Sequence, residues 1–250
     1  MRNALKIGMV AGMGALVIAL AAAAPSALRR MSGFRVRRVE VRGTHYLPPA
    51  EALRVSGITR SSNVFDDFAR WRTALEQHPL VESARIERGL PGTLRLFLVE
   101  AQPIALIARA GGPSAGELLP ISVAGDLLPV DPTAVDLDLP VISAPPFSKA
   151  SVDRVRAAVR VLDRIRTVEP TLYGWISDVD ATGRTHVRVR LRAPAGAEAL
   201  LPLDPDAGRL RQLRITLADL AARRDLNKLI RIDARFRDQI VVALTSKAAS

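Results

Sequence analysis

A run of 22 residues without a charged side chain, residues 7–28, most constrains how this chain folds. A helix of that length is about 33 Å long, which is enough to cross the hydrocarbon core of a bilayer. Lys6 and Arg29 bracket the run closely. We therefore expect a transmembrane helix over residues 7–28, so that the rest of the chain folds beside a membrane.

A cleaved signal peptide is the alternative interpretation of this segment. It also has a basic start, an apolar run and small residues before its cleavage site, and residues 21–24 are four consecutive alanines. Because the uncharged run continues to Arg29, we favour a retained anchor. Five arginines follow the run and only two basic side chains precede it. Basic residues near a membrane helix favour the cytoplasmic side, so their count places the following domain in the cytoplasm. Long domains cross membranes largely regardless of charge, however, so the orientation stays open.

The net charge of +11 invites a nucleic-acid-binding interpretation, which its distribution weakens. Residues 1–38 contain seven of the basic side chains and no acid, which leaves a net charge of +4 on residues 39–250. A mildly basic, solvated surface accounts for that remainder. The chain has no cysteine, which excludes disulfides, thiolate metal sites and a cysteine nucleophile.

The first part of the folded region has a compact pattern of elements. β-Branched residues predict a strand over residues 34–41, with a bulge at Arg37 and Arg38. Pro48 and Pro49 open a short helix, and a second helix is predicted to begin at a cap formed by Ser62 or Asn63. Residues 80–88 and 93–100 read as a hairpin. The predicted order over residues 34–101 is β-α-α-β-β, with the helices on one face of a three-stranded sheet.

The second part, residues 102–245, alternates short strands with two amphipathic helices. One helix presents a continuous apolar stripe from Val152 to Val168, and the other, capped by Asp204, repeats leucine from Leu210 to Leu220. Predicted strands cover residues 104–108, 118–123, 127–130, 173–179, 185–192, 198–203, 229–236 and 239–245. Residues 185–192 alternate apolar and basic side chains, which predicts a half-buried sheet with a basic outer face.

The predicted fold class is therefore α+β: an N-terminal transmembrane helix, the small β-α-α-β-β module, and a mostly antiparallel β domain with two amphipathic helices. The predicted segments are a short N-terminus (1–6), the transmembrane helix (7–28), a basic juxtamembrane linker (29–33), the module (34–101), the C-terminal β domain (102–245) and a tail (246–250).

No pattern in the sequence points to catalysis. His45, His78 and His186 have no partner at metal-ligand spacing, and nucleophile elbows, phosphate loops and dinucleotide fingerprints are absent from the sequence. Adjacent carboxylates such as Asp66 and Asp67 are explained by helix capping. We expect no catalytic, cofactor-binding or metal-binding residues, no small-molecule substrate and no enzyme activity.

The module and the region after it contain a more specific signature. It comprises the stretches at residues 39–43, 74–88, 90–96 and 99–105, then 126–131, Leu139-Pro140, Arg209-Leu210 and 232–236. The signature resembles the FtsQ/DivIB family of bacterial cell-division proteins, in which a POTRA module follows a single transmembrane helix and a β domain comes next. Leu80 and Gly92 depart from residues common in that family, in ways that packing tolerates.

This resemblance implies a non-enzymatic scaffold of the divisome, active in septum formation. Its folded part would lie outside the bacterial inner membrane at the division site, and its N-terminus in the cytoplasm. The implied partners are FtsB and FtsL at the C-terminal part, and other division proteins through the POTRA module.

The last strand is close to the chain end and could lie at a sheet edge, where a partner strand would add to it. The predicted partner-binding residues are Arg231, Arg235, Phe236, Gln239, Ile240, Val241, Val242 and Leu244. For Phe236, two interpretations stay open: a surface anchor, or an inward-facing core residue in phase with Ile230, Ile232 and Ala234.

The runner-up function is a POTRA-bearing envelope chaperone or secretion component. Such proteins usually have a much larger C-terminal membrane part than residues 102–245 provide, and one that is less helical. An envelope enzyme and a nucleic-acid binder rank below it.

Overall fold

The computed structural model describes residues 28–29, 31–108, 118–130, 135, 137–143, 149–236 and 238–245. Apart from Leu28, the predicted transmembrane helix lies outside these residues, as does the predicted tail. Within the described ranges, no helix is long and apolar enough to span a bilayer. The chain divides into two compact units, Met1–Glu100 and Ala101–Ser250.

The first unit has the predicted β-α-α-β-β order. Its elements are β1 (Arg38–Arg42), α1 (Pro49–Ser56), α2 (Ala69–Glu76), β2 (Val81–Gly89) and β3 (Thr93–Glu100). The sheet order is β1-β3-β2, with β3 parallel to β1 and antiparallel to β2. Every second side chain of β3 from Leu94 to Leu98 is buried, together with Trp71 and Leu75 of α2. The alternation of β3 and the apolar side of α2 therefore form one core.

Two predicted element boundaries in this unit are wrong for local reasons. The first strand begins at Arg38, because Ser32–Phe34 form a 3₁₀ turn and Arg35 makes an isolated bridge with Asn63. The second helix begins at Ala69 and not at Ser62 or Asn63. The Asn63 side chain accepts a hydrogen bond from the Phe65 N–H, which stabilises a turn where a helix was expected.

The second unit is built on an eight-stranded sheet in the order β11-β10-β9-β8-β7-β6-β4-β5. Its strands and helices in chain order are β4 (Pro103–Ala108), β5 (Leu118–Ser122), β6 (Val141–Ser143), α3 (Lys149–Val168), α4 (Pro170–Gly174), β7 (Ile176–Asp180), β8 (His186–Leu191), β9 (Glu198–Pro202), α5 (Ala207–Ala222), β10 (Leu229–Asp233) and β11 (Val241–Leu244).

This sheet is mixed: antiparallel pairings are the majority, as predicted, but the parallel pairings were not expected. Among the described strands, four pairings are antiparallel and three are parallel. Helices α3 and α4 connect β6 to β7, and α5 connects β9 to β10. A helical crossover returns the chain to the same end of the sheet, so each of these strand pairs is parallel.

The two amphipathic helices share one core with the sheet, as their stripes predict. Val159, Leu162 and Ile165 of α3 are buried with Leu213 and Leu217 of α5. The cap of α5 is Asp206 and not Asp204: its Oδ1 accepts a hydrogen bond from the Arg209 N–H over 2.9 Å. That hydrogen bond holds the pKa of Asp206 below its usual value.

Candidate functional site

Strand β11 lies at one end of the eight-stranded sheet. It pairs antiparallel with β10, from Asp233 opposite Val241 to Leu229 opposite Leu244. Within the part of the chain that the structure describes, no strand pairs with its other side. The Thr245 N–H donates inward to the Lys228 carbonyl over 2.8 Å. Because main-chain groups alternate in direction along a strand, the N–H groups of Val242 and Leu244 face outward.

The opposite end of the sheet, β5, is covered by the protein's own chain. The Leu128 N–H donates to the Pro120 carbonyl over 2.8 Å, and Ile121 forms an antiparallel bridge with Leu127. Pro120 also lacks an N–H to offer a partner. The segment predicted as a separate strand over residues 127–130 is this fold-back. The two ends of the described sheet therefore differ, and β11 is the end with available main-chain groups.

The structure places the predicted binding residues on both sides of this edge. Phe236 is 47% exposed and Val241 is 46% exposed, while Leu244 and Gln239 also face solvent. Ile240 and Val242 are partly buried and pack against the core of the second unit. Ile240 and Val242 thus face the core, and the exposed side chains of Gln239, Val241 and Leu244 are the ones available to a partner.

Phe236 is exposed, so the interpretation of it as a core residue is wrong. Strand β10 ends at Asp233, and a register shift between Leu229 and Arg231 interrupts its alternation. As a result Leu229, Ile232 and Ala234 are buried, whereas Ile230 is exposed. The predicted common phase is therefore wrong at its two ends: the register shift moves Ile230 to the opposite face, and Phe236 lies beyond the end of the strand.

Both predicted binding arginines have acidic neighbours within the chain. Arg235 donates from Nε to Oδ1 of Asp233 over 2.9 Å and from Nη2 to Oδ2 over 2.6 Å. These hydrogen bonds lower the pKa of Asp233 and raise that of Arg235. Arg231 lies 3.6 Å from Glu198 through its Nη2 atom. An acidic partner would have to compete with Asp233 for Arg235, and more weakly with Glu198 for Arg231.

The predicted basic face of the sheet is compensated by carboxylates. Arg190 contacts Asp178 at 2.9 Å, and Arg188 contacts Asp180 at 3.1 Å. Glu198 lies within 3.8 Å of both arginines. A row of arginines paired in this way has little charge left for a phosphate backbone, which requires unpaired cations.

A buried arginine that sequence reasoning missed supports the edge from behind. Arg209 of α5 is only 9% exposed and donates from Nη1 to the Ala234 carbonyl over 2.7 Å. Ala234 begins the connection from β10 to β11 that includes Phe236. The helical spacing of leucines in α5 gives no sign of this contact, because Arg209 is not one of the residues that form the apolar stripe of the helix. Arg209 therefore fixes the start of the connection against the helix.

The three histidines lie in different settings. His45 packs edge-on against Tyr46 in a loop, His78 follows α2, and His186 begins β8. Among the described residues, no group of three His, Cys, Asp or Glu side chains could hold a metal ion.

Comparison with known proteins gives a consistent result. Residues 34–101 match the family model described as POTRA domain, FtsQ-type. The chain is 25% identical to the cell division protein FtsQ of Myxococcus fulvus, with 99% of this chain and 87% of that protein aligned. It is 27% identical to FtsQ of Bradyrhizobium diazoefficiens over 90% of this chain and 61% of the relative.

A third relative, FtsQ of Syntrophotalea carbinolica, is 28% identical over 60% of this chain, which spans about half of that protein's length (54%). The FtsQ-type family model covers the β-α-α-β-β unit. The relatives that align with most of the chain are both named FtsQ and also cover the sheet that follows this unit. The chain belongs to the FtsQ/DivIB family of bacterial cell-division proteins.

Proposed function

We propose that this protein is a non-enzymatic, membrane-anchored scaffold of the division machinery, which links early and late division proteins by binding them. The open side of β11 is the observation that carries the proposal. A sheet edge with outward N–H and C=O groups accepts an extended segment of another chain as an additional strand. The covered edge at β5 directs such a partner to β11.

The proposed partner is FtsB, bound together with FtsL. Main-chain hydrogen bonds to β11 would supply affinity, and each contributes about 0.5–1.5 kcal/mol. Val241, Leu244 and Phe236 would supply apolar contacts, with Phe236 as the aromatic anchor, since exposed aromatic side chains often dominate such interfaces. Arg231 and Arg235 would orient acidic residues of the partner, and Gln239 would add a polar contact. Ile240 and Val242 hold the strand onto the core.

The proposed location is the inner membrane at the division site. Residues 7–28 would span the bilayer, with the short N-terminus in the cytoplasm and both folded units outside. The first unit contains the FtsQ-type POTRA module and is called the POTRA unit below. Together with the anchor, it would engage further division proteins. A protease-accessibility experiment on intact and lysed spheroplasts tests this topology, because cleavage of the folded units only after lysis would contradict it.

Two substitutions at Leu244 test the binding mode. Leu244→Pro removes an outward N–H and leaves the inward bond of Thr245 in place, so it should weaken FtsB binding about two- to tenfold beyond the loss of the leucine side chain. Leu244→Ala keeps the N–H and loses only an exposed side chain, so it is the matched control and should weaken binding much less. Binding is measured with the full-length protein in detergent, by titration with the FtsB extracytoplasmic segment. Equal affinities of the two variants would refute strand addition at β11.

A further inference from the structure

The residues that directly follow the uncharged run are attached to the POTRA unit. Asn63 is only 4% exposed, and its Nδ2 atom lies 3.4 Å, 3.0 Å and 3.2 Å from the carbonyl oxygens of Leu28, Arg29 and Met31. Arg29 donates from Nε to the Phe65 carbonyl over 2.7 Å, and the rings of Phe34 and Phe65 meet edge to face at 5.0 Å. The end of the run is therefore held against the module.

Arg29 also lines a surface cavity of about 400 Å³ in the same unit. The charged residues of its wall are four arginines and two aspartates: Arg29, Arg72, Arg85, Arg88, Asp66 and Asp67. The arginines come from the start of the unit, from α2 and from β2. The fold therefore brings together guanidinium groups that are far apart in sequence.

Three of these arginines have unused donors. Arg88 donates from Nε to the Val64 carbonyl over 2.7 Å and stacks on the ring of Phe68 at 4.2 Å. Like Arg29, it is oriented through Nε, and the terminal nitrogens of both make no hydrogen bond within the described residues. Among those residues, the side chain of Arg72 has neither a hydrogen bond nor an ion pair. Two of the three guanidinium groups are thus oriented, and none of the three forms an ion pair within the described residues.

Within the described residues, the two aspartates form no ion pair with these three arginines. Asp66 accepts a hydrogen bond from the Asn63 N–H over 2.8 Å and lies 3.8 Å from Arg70, outside the cavity wall. Asp67 accepts from the Ala69 N–H over 2.9 Å. Both carboxylates therefore serve the turn before α2. The wall has a positive excess, and planar guanidinium forks match the oxygens of a phosphate group.

We propose that this cavity binds the phosphate of an anionic phospholipid headgroup. The proposal rests on the membrane attachment proposed above, because Arg29 is the first residue after the predicted span and itself belongs to the cavity wall. A site fixed to the end of a membrane helix meets lipid phosphates at high local concentration, whereas a soluble anion has no such advantage. The matching chemistry is a phosphodiester with a net negative charge, as in phosphatidylglycerol.

The test uses the full chain in nanodiscs of phosphatidylcholine alone, or of phosphatidylcholine mixed with phosphatidylglycerol. Hydrogen–deuterium exchange of residues 63–72 and 84–88 is the readout. Phosphatidylglycerol should slow exchange there several-fold in the wild type. Arg72→Ala should remove most of this protection, since one arginine contributes about fivefold in affinity for an anionic surface. Arg88→Ala should act in the same direction.

Arg60→Ala is the matched control, because Arg60 is an exposed arginine of the same unit that does not line the cavity. It should keep the protection, and an equal loss in this variant would show diffuse surface charge and overturn the site. The same protection in phosphatidylcholine discs with added inorganic phosphate would identify a free-anion site and overturn the lipid assignment. Unchanged exchange with phosphatidylglycerol overturns the headgroup site alone, whereas failure of the chain to enter discs overturns the anchor and the site with it.

Discussion

Glu100 holds a loop of the POTRA unit through its carboxylate, and its removal should have a large effect. The side chain is 3% exposed at the end of β3. Oε2 accepts hydrogen bonds from the N–H groups of His45 and Tyr46, and Oε1 accepts one from Leu47, each over 2.8 Å. Three successive main-chain donors of the β1–α1 loop thus converge on one buried acid.

The expected cost follows from the burial of these donors. A hydrogen bond to a charged group contributes about 1.5–3 kcal/mol, and a buried N–H without a partner costs about 1–3 kcal/mol. His45 and Tyr46 are partly solvated and regain water, whereas Leu47 is buried and does not. We therefore expect Glu100→Ala to destabilise the first unit by about 4 kcal/mol. Glu100→Gln keeps one acceptor and the shape, so it should cost about 2 kcal/mol.

Urea unfolding followed by tryptophan fluorescence measures this effect. The chain has two tryptophans, Trp71 in the first unit and Trp175 in the second. A Trp175→Phe background therefore reports on the POTRA unit alone. Glu82→Ala, which removes an exposed carboxylate from β2, is the control and should change stability by less than about 0.5 kcal/mol. If Glu100→Ala costs no more than Glu82→Ala, the carboxylate does not hold the loop.

Three further predictions concern the second unit. Arg224 follows α5 with a φ of 61°; Arg224→Gly should relieve this strain and stabilise the unit by about 0.5–1 kcal/mol, and a lower melting temperature would contradict that. Arg209→Met should release the Ala234 carbonyl and weaken FtsB binding in titrations; unchanged affinity in a folded variant would exclude a positioning role. Because the folded-state pKa of Asp233 is lowered from 3.8, its stabilising contribution is present above that value and lost as pH falls through the folded pKa. Urea titrations across that range should therefore show a flatter acid dependence for Asp233→Asn than for the wild type, and identical slopes would count against the pairing with Arg235.

Periodicity was sufficient to predict most elements of this fold. Leucine spacing in α5 and the apolar alternation of β8 identify buried faces directly, since both depend only on neighbours along the chain. The parallel pairs β6–β7 and β9–β10 were missed because strand direction depends on where a crossover returns, which spacing does not encode. Apolar stripes identify α3 and α5 as amphipathic helices but carry no sign that each connects two neighbouring strands.

The candidate site was predicted in part. The last strand was predicted to lie at a sheet edge, and β11 lies at one end of the described sheet. The exposure of Ile230 depends on the register shift in β10, and that of Phe236 on the end of this strand at Asp233; apolar spacing encodes neither. Contacts between distant residues left no local signal: Asn63 with Arg29, Glu100 with Leu47, and Arg209 with Ala234 each join segments more than 20 residues apart.

The fold-back over β5 also limits how this sheet can grow. A sheet with two open ends can add strands at both and extend into a fibre. In the described part of the second unit, only the β11 end is open. Two copies that paired through β11 would therefore leave no open sheet end, and assembly would end at a dimer. Within the described residues, the covered end thus leaves this sheet one edge at which a strand of another molecule can be added.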